Sequence, residues 1–126
     1  MLRKFNPPGM VSSDIYHHGV EIKSFQRMLF ISGQIGVSTD GIPGKDIRQQ
    51  TELAIHNLYN ILADADMDAS DIVKTTIYLT DESLLGDFME NGASSLPSHP
   101  SATTLVIVKA LASPDLLVEI EAVAAK

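Results

Sequence analysis

The sequence predicts a two-layer α/β (α+β) domain, a sheet with two helices packed on one of its faces. Two observations lead there. Apolar residues alternate along several short segments and recur at helical spacing along two others. The segments also run in the order strand, strand, helix, strand, short helix, strand, strand, which two layers satisfy. The 126 residues suit one domain over positions 1–126, long enough to bury about two-thirds of the unfolded surface.

Residues 6–14, Asn-Pro-Pro-Gly-Met-Val-Ser-Ser-Asp, are turn material. Residues 15–21 read as a short, irregular strand. Residues 27–32, Arg-Met-Leu-Phe-Ile-Ser, read as a better one that Gly33 closes. Gly36, Gly41, Pro43 and Gly44 make residues 36–45 a loop. Asp46 opens the clearest helix, with Gln49 three residues on as in a capping box. Its apolar stripe is Ile47, Ala54, Leu58, Ile61, Leu62 and Ala65, while Gln49, Gln50, Glu52, His56, Asn57 and Asn60 mostly take the other faces. Asp64, Asp66 and Asp68 oppose the helix dipole at the exit, so the helix is expected to stop near residue 65.

Residues 72–79 make the best strand. Val73, Thr75, Ile77 and Leu79 share one face, and Lys74, Thr76 and Tyr78 the other. Thr80 or Asp81 caps a shorter helix through Leu84, Leu85 and Phe88, which Asn91 and Gly92 end. Ser94 to Ser101, with Pro97 and Pro100, is a loop, and strands over 103–109 and 116–124 finish the chain. Tyr78, Val106, Val108 and Val123 leave the second sheet face semi-apolar, so that face is expected to be buried against another subunit.

Composition narrows the chemistry. Nine Lys plus Arg stand against sixteen Asp plus Glu, a formal net charge of -7. That balance argues against a nucleic-acid partner, since phosphate contacts need a positive field. It leaves room for one small anionic ligand held by local dipoles. No apolar run approaches the roughly 20 residues of a membrane helix, so no membrane partner is expected. The first residues carry no apolar stretch of a secretory signal, and a cytoplasmic protein is expected. The absence of Cys excludes disulfides, Cys-based metal sites and thiol nucleophiles.

Several residues carry possible chemistry. Ser32-Gly33-Gln34-Ile35-Gly36 lacks the spacing of a dinucleotide fingerprint. It reads either as a tight turn or as a loop whose N–H groups, helped by the Ser32 hydroxyl, face a small oxyanion. His17 and His18 are adjacent and point to opposite faces of a strand, while His56 and His99 are isolated, so no metal site and no cofactor is expected. His56 reads as solvated. His99, beside Pro100, reads as a plain loop residue or as part of a cleft. Glu119 and Glu121 share one strand face. They form either an outward or intersubunit pair, or a site where a carboxylate positions water or binds an amine. The acidic triplet Asp64, Asp66 and Asp68 reads as a solvated turn that lacks the ordered loop of a calcium site.

With those segments in place, the chain resembles the YjgF/RidA family, also called the endoribonuclease L-PSP family. The resemblance covers nearly the whole chain. It rests on Phe30-Ile31-Ser32-Gly33-Gln34-Ile35, Ile72-Val73-Lys74-Thr75-Thr76-Ile77-Tyr78-Leu79 and Leu117-Val118-Glu119-Ile120-Glu121-Ala122-Val123-Ala124, in that order and spacing. It implies a chorismate-mutase-like mixed sheet with two helices on one face, assembled as a homotrimer with small-molecule clefts between subunits. The best-known members are 2-iminobutanoate/2-iminopropanoate deaminases, which turn reactive imines or enamines into 2-oxo acids and ammonia.

The resemblance also implies site residues. Glu119 matches the glutamate that orients the attacking water. Tyr16, Ser32 and Gly33 match the substrate pocket, and Asn91 matches a pocket asparagine loosely. The family's carboxylate-gripping arginine, set in Pro-Ala-Arg, has no counterpart. The strand pattern places Thr103 there, and counting from Pro100 places Ala102. A Thr hydroxyl does not replace a bidentate guanidinium. Lys109, six residues along an extended strand and roughly 20 Å away, is a poor local substitute. The segment after Phe88 is also shorter than usual and lacks the family's Tyr and Phe-Phe. Two expectations follow. One is a RidA-like hydrolase of imines, enamines or a related small amide, with Glu119 and Thr103 as its catalytic pair. The other is a non-catalytic trimer that binds a small metabolite or a protein in the same clefts.

Overall fold

The computed structural model describes residues 1–92 and 100–126. The strands are β1 (Leu2–Phe5), β2 (Gly19–Ile22), β3 (Met28–Ile35), β4 (Ile72–Leu79), β5 (Ala102–Ile107) and β6 (Val118–Ala125), and the helices are α1 (Ile47–Asp64) and α2 (Leu85–Gly92). Four strands form a mixed sheet in the order β3-β6-β4-β5, antiparallel except for the parallel β4–β5 pair, and β1 and β2 form an antiparallel ribbon. The core lies between this sheet and the helices. Ile31, Ile77, Leu79, Val118, Ile120 and Ala122 meet Ile47, Ala54, Leu58 and Leu62 of α1 and Phe88 of α2. The predicted two layers, with both helices on one face, are the observed architecture.

The capping residues explain where the helices start. The Asp46 side chain accepts from the backbone N–H of Gln49, and the Gln49 side chain accepts from the Lys45 N–H at 2.7 Å. The exit of α1 at Asp64 agrees with the expected stop. Asp81 accepts from Ser83 N–H at 2.8 Å and starts a single tight turn, Glu82–Leu84, that runs straight into α2.

Four features depart from the expectations. The ribbon strand β1 was not foreseen, because Leu2-Arg3-Lys4-Phe5 offers no clean alternation. Arg3 ties it to Glu21 of β2 at 3.1 Å and lies over the Phe5 ring. The expected strand at 15–21 forms only over Gly19–Ile22, while His17 makes an isolated bridge to Ala102. Gly33 does not close β3 but lies inside it, at a register shift between Ile31 and Gln34. Gln50, expected on an outward face, is buried and fully bonded. Its amide donates to the carbonyls of Gly44 and Asp115 and accepts from Leu117 N–H at 2.8 Å, pinning the 36–45 loop to the lead-in of β6. Close approach explains Gly36 too, since a Cβ there would overlap the Gln50 backbone. His99 and most of the expected 94–101 loop lie outside the described residues.

Candidate active site

Alternation along the strands divides the site residues between two faces. The registers align three rows across the face turned away from the helices. The first row is Phe30, Val123, Lys74 and Ala102. The second is Glu121, Thr76 and Thr104, beside the irregular stretch Ser32-Gly33. The third is Ile35, Glu119, Tyr78 and Val106. Phe30 is 74% exposed and Val106 39%, a semi-apolar surface around the polar middle.

Glu119 and Gly33 meet there. A Cβ built on Gly33 would overlap the Glu119 carboxylate, so the acid lies flat against bare backbone. The register shift in β3 inserts one extra residue at this point, which turns the local backbone away from regular pairing. Ser32 is exposed beside it, and its carbonyl accepts from the Gln34 amide at 2.9 Å. The structure therefore brings Glu119 onto Gly33, with Ser32 the preceding residue of the same irregular stretch.

The neighbouring carboxylate is differently engaged. The Tyr78 hydroxyl donates to Glu121, and that bond, with desolvation and the nearby Glu119 charge, holds the phenol above its ordinary range. Lys74 Nζ, from the first row, donates to the Thr104 hydroxyl in the second at 2.7 Å.

Thr103 lies elsewhere. It pairs with Thr75 on the helix-facing side, so it does not share a face with Glu119. Its hydroxyl donates to the Ser101 carbonyl at 3.2 Å, and Ser101 Oγ in turn bonds Thr75 Oγ1 at 2.7 Å. These hydroxyls close one end of a cavity of about 280 Å³, walled by Tyr59, Leu85, Phe88 and Leu105. Tyr16 lines the same cavity and stacks edge-on against His18, while His17 N–H donates to the Ser101 carbonyl at 3.0 Å. Asn91 is on α2, where its amide donates to the Asp87 carbonyl at 2.8 Å, and it does not line the cavity. Of the two positions counted for the missing arginine, only Ala102 shares the face of Glu119.

Reading the sequence singled out Lys109 as the nearest cation and passed over Lys74. The signal was available, because Lys74 was already placed on the Tyr78 face of its strand. What the sequence lacked was the parallel register that sets Lys74 beside Ala102.

Comparison with known proteins places these features in a family. The family model described as Endoribonuclease L-PSP matches residues 10–126. RutC family protein YjgH of Escherichia coli (strain K12) is 40% identical over 81 residues, which span 62% of either chain. The crystal structure of a Yersinia pestis protein of unknown function, YyfB of the conserved Rid protein family, superposes with a TM-score of 0.88 at 32% identity, over 99% of this chain and 98% of that one. RidA from the Antarctic bacterium Psychrobacter sp. PAMC 21119 superposes with a TM-score of 0.75 at 25% identity, over 98% and 94%.

Proposed function

Because the chain belongs to the endoribonuclease L-PSP family, also known as YjgF/RidA, we propose that it hydrolyses small reactive imines or enamines. The substrates are of the 2-iminobutanoate and 2-iminopropanoate type, and the products are a 2-oxo acid and ammonia. The observation that carries this reading is the seat of Glu119, a carboxylate laid against Gly33 beside the exposed Ser32.

In this reading the Glu119 carboxylate accepts a proton from water as the oxygen adds to the C=N carbon. Glu119 passes that proton to the imine nitrogen, and a tetrahedral carbinolamine forms. The carboxylate then takes the carbinolamine hydroxyl proton and delivers it to the amino group as the C–N bond breaks, so ammonia leaves and the C=O of the oxo acid remains. The Ser32 hydroxyl and the backbone at Gly33 orient the substrate. Thr103 and Tyr16 line the cavity on the helix side and Asn91 lies on α2, so none of the three touches the reacting carbon in this reading. The exposed Phe30 and Val106 support a homotrimer in which neighbouring copies cover the outer face and enclose the seat.

Imines released in situ by an amino-acid oxidase provide the test, with ammonia and oxo acid followed over time. Wild type should accelerate their decay, and Glu119→Gln should lower turnover about 10²–10⁴-fold. Unchanged turnover in that variant removes Glu119 from the mechanism. No acceleration by an intact trimer overturns the deaminase reading in favour of a non-catalytic metabolite-binding assembly. A gel-filtration mass near one protomer defeats the trimer.

A further inference from the structure

We propose that Lys74 is an anion-recognition residue of the outer face and that the molecule processed there enters as a carboxylate. The identity of that molecule rests on the deaminase reading; the placement of the cation rests on the sheet alone.

Among the strand residues of the outer face, Lys74 is the one cation. It sits in a row with Phe30 and Val123 on one side and Ala102 on the other, so apolar or small side chains surround its stem. Its ammonium has three donors, and one goes to the Thr104 hydroxyl. Among the described residues it has no ion-pair partner. The carboxylate in the next row, Glu121, already accepts the Tyr78 hydroxyl.

That arrangement is tolerable on a wet surface. It becomes costly once the face is covered, because a cation taken out of water needs an anion and further hydrogen bonds. Phe30, standing in the same row, is what draws a cover over it. The small Ala102 side chain leaves the space beside the ammonium open. A ligand carboxylate there receives the two remaining ammonium N–H groups.

Distance decides how this cation serves the seat of Glu119. Lys74 is aligned with Val123 and Tyr78 with Glu119, so the two functional positions are four residues apart, roughly 13 Å along the strands. The side chains lean further apart, the ammonium toward Thr104 on the edge strand β5 and the Glu119 carboxylate toward Gly33 on the opposite edge strand β3. One copy therefore supplies Lys74 and the copy that covers it supplies Glu119.

Binding separates this inference from the deaminase reading. The probes are 2-oxobutanoate and its neutral isostere 2-oxobutanamide, titrated by NMR into wild type, Lys74→Met and Lys74→Arg at fixed ionic strength. Lys74→Met should bind the acid at least tenfold more weakly, Lys74→Arg should stay within about threefold, and the amide should bind all three alike. Equal acid affinity in a folded, assembled Lys74→Met overturns the proposal, as does a wild type with no preference for the acid. Acid binding through Lys74 without turnover keeps the anion site and rejects the deaminase. Turnover indifferent to Lys74 does the reverse.

A subunit-mixing experiment checks the distance argument. Lys74→Met and Glu119→Gln, each weakly active alone, should recover about a quarter of wild-type turnover when unfolded together and reassembled at equal amounts. No recovery from mixed trimers overturns the shared site.

Discussion

The inner and outer faces of the four-stranded sheet come from the same alternating strands. On the inner face Ile31, Ile77, Leu79, Val118 and Ile120 pack against the helices with almost no exposure. On the outer face Phe30, Lys74, Tyr78, Glu119 and Glu121 present two aromatic rings, a cation and two carboxylates within three rows. Volume selects the first set, because a close-packed layer has room for little else. The second set fills no core, and its members are joined by specific polar contacts: carboxylate on glycine, tyrosine on carboxylate, ammonium on hydroxyl. The fold resides in one face and the proposed chemistry in the other. Thr103, alternating inward, falls with the fold.

The sharpest way to break this division is to damage the inner face. Leu79→Ala removes a fully buried side chain from the centre of the core. It should cost about 2–5 kcal/mol in denaturant unfolding, while the protein that remains folded keeps its turnover. A cost under about 1 kcal/mol would mean that the inner face can collapse around the gap.

Gly33→Ala tests the outer face at its tightest contact. The new methyl overlaps the Glu119 carboxylate, which must swing away. Displacing the end of a flexible side chain should cost under about 1 kcal/mol, and turnover should drop at least tenfold. Adding Glu119→Ala removes the obstructing side chain. The double variant should therefore regain the stability lost by Gly33→Ala, a coupling that a thermodynamic cycle reads directly. Additive losses would place the strain in the β3 backbone instead.

Phe30→Ser asks what the exposed ring is for. Within a protomer the change should stay within about 0.5 kcal/mol, as for other surface sites. Native mass measurements at decreasing concentration should show the proposed trimer dissociating earlier than in wild type. Unaltered assembly would remove Phe30 from the interface.

The residues that were legible in the sequence are those whose side chains answer to their own neighbours. The Asp46 cap, the α1 stripe and the alternation of residues 72–79 depend on spacing within one segment, so helices and central strands emerged in place. Gln50 and Gly33 depend on distant segments. A glutamine reads as polar surface until Gly44, Asp115 and Leu117 converge on it, and a glycine reads as a turn until Glu119 is laid over it. Glu119 drew notice because a charged pair on an apolar strand is conspicuous. Lys74 was passed over because its neighbour Ala102 lies 28 positions away, across a parallel register.

Tyr78 gives the smallest and most discriminating test. Its hydroxyl is held above the ordinary value of 10.0, first by its bond to Glu121 and then by desolvation and the charges of Glu121 and Glu119. A raised phenol value means that folding favours the neutral form. The contribution is complete below about pH 10 and is lost as pH climbs through the higher folded value. Tyr78→Phe lacks the hydroxyl and leaves Glu121 without that donor, so its melting temperature should lie slightly below wild type at pH 8. As pH rises above 10.0 wild type should fall toward the variant and narrow the gap. A gap that stays constant to pH 11 would show that the difference comes from ring packing. The outer face would then owe its cohesion to shape as the inner face does, and the division between the two would narrow at this residue.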